Sequence, residues 1–287
     1  MIAQRILLIG SAGQLGFELA RVLPSHGDVI ALDRAALDLA DADALIAAVR
    51  GARPQLIVNA AAYTAVDRAE SEMEAADAIN ARAPGVLAEE ARRVGAPLIH
   101  YSTDYVFDGE ASAPYDEQAA PNPINAYGRS KLGGERAIDA AGGPSLVLRT
   151  SWVYGLRGQN FLTTMRRLAA DREELRIVAD QIGTPNWTRA LAEATATLVG
   201  RGNAYLAERS GLYHLSGGGS TSWFDFARAI FGDAPRPRLV PITTAEYPTA
   251  ARRPLRSVLA SRKFQDTFGF SLPSWDRMLD ACMAERP

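Results

Sequence analysis

A doubly wound parallel sheet with helices on both faces, followed by a smaller C-terminal part, is the α/β architecture expected of this 287-residue chain. Three observations carry that expectation. Short apolar runs at residues 6–9, 29–32, 56–58, 97–101 and 146–148 alternate with stretches of helical periodicity, the order that builds a parallel sheet covered on both sides. The first run stops at a glycine-rich turn that opens a helix, the local context of a Rossmann-type nucleotide site. The later runs end in small, hydroxyl or amide residues, at the sheet edge where open α/β folds hold their ligands.

Composition narrows the class of protein. Hydrophobic content of 47% and charged content of 22% are those of an ordinary globular chain, and a net charge of -2 gives no reason to expect a nucleic acid or an anionic membrane as partner. The single cysteine, Cys282, excludes an internal disulfide framework, and His26, His100 and His214 make no metal-ligand spacing with it or with one another. The N-terminus runs almost at once into a short apolar strand, and no apolar run approaches the roughly 20 residues of a membrane span. The expectation is a cytoplasmic soluble protein.

Residues 6–9 form the first strand, and Gly10-Ser11-Ala12-Gly13-Gln14-Leu15-Gly16 the turn after it; Phe17, Leu19, Ala20 and Leu23 then recur at helical spacing as far as Pro24. The pattern is G-x-x-G-x-x-G. Glycines at Gly10, Gly13 and Gly16 let the backbone turn tightly and come close to a pyrophosphate, which the helix N-terminus favours through its free N–H groups and dipole. The second strand closes on Asp33, about 20 positions on, where an acidic side chain accepts a ribose 2′-hydroxyl. Arg34 follows and could instead neutralise a 2′-phosphate, so NADH and NADPH both stay open. Asp38 and Leu39 either approach the adenine or merely precede a helix starting near Asp41.

The third strand runs into Asn59-Ala60-Ala61-Ala62-Tyr63-Thr64, whose small residues leave room for a ligand, and the acidic stretch 67–77 reads as a solvated helix face. Asn80 and Pro84 lead a helix carrying Val86, Leu87 and Ala91 on its apolar side. The fourth strand is followed by Ser102-Thr103-Asp104-Tyr105-Val106-Phe107-Asp108-Gly109. Some 24 positions after Thr103 comes Tyr127-Gly128-Arg129-Ser130-Lys131. A tyrosine and a lysine four apart on a helix share a face, and an ammonium near a phenol draws its pKa down from about 10. Tyr127 is therefore the candidate acid and Lys131 its tuner. The fifth strand enters Arg149-Thr150-Ser151-Trp152-Val153-Tyr154-Gly155.

Beyond residue 155 the pattern predicts a short helix through Phe161, Met165 and Leu168, a strand at Ile177-Val178, a long helix over 188–200 and a strand over 211–215. Gly217-Gly218-Gly219 reads as a flexible turn, Ser222 as the cap of a helix through Phe224, Phe226 and Ile230, and helices are expected near 261–268 and 273–284. Arg253, beside Pro254, is either a ligand-phosphate contact or a surface charge. The expected division is a cofactor domain over 1–150, with segments of about 160–215 returning to it, and a mainly substrate-binding part over 151–287, interleaved with it.

These residues together resemble the extended short-chain dehydrogenase/reductase superfamily and, within it, the dTDP-4-dehydrorhamnose reductases. The resemblance runs over nearly the whole chain, through GSAGQLG at 10–16, NAAAYTAVDRAE at 59–70, YSTDYVFDG at 101–109, YGRSK at 127–131, RTSWVYG at 149–155 and DQIGTP at 180–185. It implies reduction of a C4 keto group on a dTDP-sugar by NADPH or NADH. Tyr127 would donate the proton, Lys131 would lower its pKa and touch the nicotinamide ribose, and Thr103 would bond the reacting oxygen. Asp104 and Trp152 would contact the sugar. Gly13, Gln14 and Leu15 would meet the pyrophosphate, with Asp33, Asp38 and Leu39 around the adenosine and Ala62, Tyr63 and Thr64 along the cleft. Some members carry magnesium at a glutamate-lined dimer contact; Glu18 is present here, but Arg189 stands where a further carboxylate is wanted, which argues against the metal. A monomer or a homodimer is expected. A reductase or epimerase for another nucleotide sugar, or a non-catalytic NADP-binding regulatory subunit, are the alternatives left open.

Overall fold

Leucine, isoleucine and valine fill residues 6–9 and 56–58 without interruption because those strands are buried on both faces. In the computed structural model, which describes residues 4–285, the elements of the first half are β1 (Arg5–Ile9), α1 (Gln14–Val22), β2 (Asp28–Leu32), α2 (Ala42–Ala52), β3 (Leu56–Asn59), α3 (Met73–Asp77), α4 (Ala83–Val94), β4 (Leu98–Thr103), α5 (Ala126–Ala141) and β5 (Ser145–Thr150). The second half adds β6 (Val153–Tyr154), α6 (Phe161–Asp171), β7 (Glu174–Val178), β8 (Ile182–Gly183), β9 (Asn186–Trp187), α7 (Thr188–Val199), α8 (Asn203–Glu208) and β10 (Gly211–His214). It closes with β11 (Thr221–Ser222), α9 (Trp223–Phe231), β12 (Arg238–Ile242), α10 (Arg262–Phe268) and α11 (Trp275–Ala284).

Six strands make one parallel sheet in the order β10-β5-β4-β3-β1-β2. Strand order reverses at β1, so β1 and β3 diverge in their connections and leave a crevice at their carboxyl ends, the topological switch point of an open α/β sheet. Alternate side chains of each strand supply two cores. Ile6, Leu8, Val58, Ile99 and Leu148 pack with Leu19 of α1 and Leu191 and Leu198 of α7. Leu7, Ile9, Ile57, Leu98 and Val147 pack on the other side with Leu45 and Val49 of α2, Leu87 of α4 and Ile138 of α5. β10 comes from the second half of the chain, yet it pairs with β5 in register from Gly211 opposite Leu146. The remaining strands form two-stranded ribbons: β12 with β7, β11 with β8, and β6 with β9.

Several local expectations are corrected. Residues 67–77 are not one solvated helix face: a 3-10 turn at Arg68–Glu70 precedes α3, and a π-helical turn at Ala78–Arg82 joins α3 to α4. A π turn widens the helix by a residue, and here it presents Asn80, fully buried, toward α5. Ser102 and Thr103 are the last residues of β4, opposite Arg149 and Thr150, and Thr103 also caps the 3-10 turn at Asp104–Val106 that follows. β12 gives little strand signal because Pro241 interrupts it; it is paired only through β7, so no ladder bond is lost on its other edge.

Candidate active site

The N-terminus of α5 is set by Asn125, whose side chain accepts from Gly128 N–H at 2.8 Å while its amide donates to Arg252 O at 2.9 Å. Glu70 adds a second anchor by accepting from Ala126 N–H at 2.7 Å. Gly128 lets the helix approach the strand end: a Cβ there would lie 2.1 Å from Tyr105 O. Tyr127 is thereby held edge-on to Tyr105, ring centroids 5.7 Å apart, on the side of Thr103. Its phenol is pushed up to about 12, chiefly by burial; the contact with Thr103 pulls the other way and Asp104 adds to the rise.

Lys131, one turn further, is fully buried. Its Nζ donates to Tyr101 O at 2.7 Å and lies 3.1 Å from His100 Nε2. Burial brings the ammonium down to about 8, against a smaller upward pull from Glu135. This corrects one expectation: the phenol of Tyr127 is not drawn toward neutrality here, because the cation meant to do so is itself desolvated and turned to the strand β4. Burial of the phenol wins.

Thr103 Oγ1 accepts from Tyr105 N–H and donates to Asp104 Oδ1, both at 3.1 Å. Asp104 is buried, its Oδ2 has no hydrogen-bond partner, and burial raises its carboxyl to about 7. Tyr63 packs, like Tyr127, against the small cluster of Ala69, Ala76 and Ala126, and its hydroxyl donates to Glu72 at 2.5 Å. The backbone of Tyr63 is clamped by Asn80, which accepts from its N–H at 2.8 Å and donates to its carbonyl and to Ser130 Oγ, both at 3.0 Å. Ala62 and Thr64 flank it on the same loop.

At the switch point Gly10 has φ 84°, and a Cβ on it would sit 2.7 Å from Ala61 N; a Cβ on Gly16 would fall 1.9 Å from Gly10 O. Only glycine permits this cradle, which fits a phosphate-bearing dinucleotide at the start of α1. Gly13 is the N-cap of α1 and Leu15 is buried in its first turn. Gln14 reaches outward, accepting from Asn160 Nδ2 at 2.8 Å. Asp33 closes its own turn through Ala35 and Ala36 N–H, both at 3.0 Å, and Asp38 does the same with Ala40 N–H at 2.9 Å. Arg34 is exposed and Leu39 half-buried beside this edge.

From the second half, Trp152 has φ 45°, a strained value for a bulky residue, and its indole stacks on Trp223 at 3.4 Å with Gly183 against its edge. Arg253 binds Asp67 through Nη2 at 2.7 Å, and Asp67 also accepts from Ala251 N–H at 3.0 Å, so the segment 251–253 is strapped beside the start of α5. Sequence reading missed His100, Asn80, Asp67, Glu70 and Trp223. A histidine within an apolar strand was the one local signal available; the acidic residues looked like solvated charges because their partners lie far along the chain.

Arg189 donates to Glu18 at 2.5 Å and to Glu285 at 2.9 Å. The cation between these carboxylates is the chain's own guanidinium, so the pair does not fit magnesium. Among the described residues no group of three or more His, Cys, Asp or Glu side chains is arranged to hold a metal ion.

A dinucleotide cradle at the switch point, with a Tyr–Lys pair on α5 beside the hydroxyl end of β4, is the arrangement of an extended short-chain dehydrogenase/reductase. Residues 4–286 match the family described as RmlD substrate binding domain. The chain is 48% identical to a dTDP-4-dehydrorhamnose reductase of Burkholderia thailandensis, covering 98% of each, and 44% identical to one of Escherichia coli K12, covering 94% of each. A dTDP-4-dehydrorhamnose reductase of Bacillus anthracis, solved in complex with NADP, superposes with a TM-score of 0.93 at 37% identity over 99% of this chain and 100% of that one. The chain belongs to the dTDP-4-dehydrorhamnose reductase family.

Proposed function

We propose that this chain reduces the C4 keto group of dTDP-4-dehydro-β-L-rhamnose to dTDP-L-rhamnose with NADPH or NADH, Tyr127 giving the proton. The observation that carries the reading is the half-buried Tyr127 ring, held edge-on to Tyr105 at the end of β4 beside Thr103, where desolvation raises the phenol and keeps it protonated at working pH. A reduced nicotinamide bound along Gly10, Gly13, Gly16 and the loop 61–64 supplies the hydride. As charge grows on the carbonyl oxygen, Tyr127 gives it a proton and the Thr103 hydroxyl, turning its hydrogen from Asp104, donates a second hydrogen bond; donors held close by stabilise that charge more than the neutral ketone. Asp104 and Trp152 orient the sugar, and Arg253 is the candidate contact for a nucleotide phosphate. The enzyme acts on this small molecule as a cytoplasmic monomer or homodimer, without nucleic acid or membrane.

Purified protein is expected to oxidise NADPH or NADH only when dTDP-4-dehydrorhamnose is supplied. Tyr127→Phe should lower kcat by about 10²–10⁴-fold with cofactor binding retained, the usual worth of a positioned acid. A fully active Tyr127→Phe sinks the assignment of the donor.

A further inference from the structure

The loop between β6 and α6, residues 155–160, continues the chain from Trp152 but is docked on the turn that cradles the cofactor. Asn160 caps α6, and its Nδ2 donates to Gln14 Oε1 at 2.8 Å, to Gly155 O at 2.9 Å and to Arg157 O at 3.1 Å. Gly158 has φ 71°, and a Cβ on it would lie 3.0 Å from Gln14 Cγ, so the loop meets the first residue of α1 as closely as glycine allows. At the other end a Cβ on Gly155 would fall 2.5 Å from Thr188 Oγ1 of α7. Both ends of the loop are fixed, and Arg157 is carried between them.

Arg157 lays its guanidinium 3.9 Å from the centre of the Phe17 ring. Phe17 comes four residues after Gly13 and stands on the same face of α1, one turn on. Helical side chains lean toward the N-terminus, so the ring, with the guanidinium on it, inclines toward the glycine turn.

The charge of Arg157 is not matched within the protein. Among the described residues it makes no ion pair, and Glu18, the only acidic residue of α1, serves Arg21 at 3.7 Å and Arg189 at 2.5 Å. Arg21 lies 5.7 Å from the centre of the same Phe17 ring, so positive charge gathers here beyond what one carboxylate balances. A guanidinium stacked on an aromatic face keeps its N–H fork at the rim, in the geometry that suits phosphate oxygens. Arg157 is exposed, so it meets a ligand without first breaking an ion pair.

We propose that Arg157 is a cofactor-binding residue: seated on Phe17 at the mouth of the glycine cradle, it pairs with the pyrophosphate of the nicotinamide dinucleotide and holds the loop 155–160 over it. The start of α1 supplies N–H groups on one side of the diphosphate, and Arg157 supplies charge on the other. The proposal rests on the reading of the glycine turn as the dinucleotide cradle, and not on the sugar or on Tyr127.

Calorimetric titration of the full-length protein with NADPH, NADH and ADP-ribose at several ionic strengths tests it; ADP-ribose keeps the pyrophosphate without the nicotinamide. Arg157→Gln should weaken ADP-ribose and the preferred dinucleotide alike, by about 10–100-fold, as expected for loss of a charged hydrogen-bonded contact. It should also flatten the salt dependence of Kd. Arg157→Lys keeps the charge without the stacked fork and should fall between the two. Melting temperatures without ligand should coincide, since the exposed side chain leaves no partner behind. Equal affinities of wild type and Arg157→Gln overturn the proposal. So does a weaker Kd with unchanged salt dependence, the mark of a loop that is merely loosened. A wild type that binds none of the three ligands removes the cradle reading and the proposal with it, whereas a fully active Tyr127→Phe removes the donor reading alone.

Discussion

Asp104 is a carboxyl with one oxygen bonded to Thr103 and the other buried without a partner. Burial raises it to about 7, against about 4 in an unfolded chain. A folded-state value above the unfolded one means the fold prefers the protonated acid. The stability this gives is complete below pH 4 and is lost as the pH rises through 7, on the order of 4 kcal/mol for about three units. Asp104→Asn should therefore melt higher than wild type at pH 8, with the gap closing by about pH 4; equal melting curves at both pH values would contradict it. The cost is borne where the sugar is expected to sit, the usual place for an unsatisfied buried group to be retained.

α5 is the element on which the site depends, and its glycines set how close it lies. Gly128→Ala puts a methyl 2.1 Å from a backbone carbonyl, so the helix must retreat from Tyr105. Overpacking of this kind costs about 1–3 kcal/mol, more than the helix propensity gained, and a shift near 1 Å at Tyr127 should lower kcat by about 100-fold. Gly51, near the end of α2, is the control: nothing lies within 4 Å of its added Cβ, so Gly51→Ala should stabilise by about 0.5–1 kcal/mol with unchanged kinetics. Chemical denaturation and steady-state assays of the two variants separate propensity from packing. The YGRSK stretch displays the Tyr–Lys spacing plainly, but not that its one glycine, Gly128, makes room for Tyr105 O.

Across the whole molecule, the sheet is finished by residues far from those that begin it. β10 covers the edge of β5, and α7 lies over α1. A fragment ending at residue 155 leaves that edge and the apolar face of α1 exposed, and is expected to be insoluble or to lack a cooperative thermal transition; a soluble, cooperatively melting fragment would show that the first half folds alone. The Glu18–Arg189–Glu285 triad makes a second expectation at this scale. Chelating divalent metal should leave the melting temperature and oligomeric state unchanged, whereas Arg189→Ala should lower the melting temperature by leaving the largely buried Glu18 without its partner.

All six sheet strands, the glycine turn and the Tyr127–Lys131 spacing could be read from the chain alone, because each depends on periodicity or on residues a turn apart. Thr103 and Asp104 are singled out by the resemblance that YSTDYVFDG carries, since spacing and composition show only hydroxyls and a carboxyl at a strand end. Tertiary structure alone decided what those groups are paired with. Asp67 meets Arg253 across 186 residues, Glu70 caps α5 from another helix, and Lys131 turns to His100 and not to Tyr127. Protonation state follows burial and neighbours, and both are set by segments that approach one another only after the sheet is built.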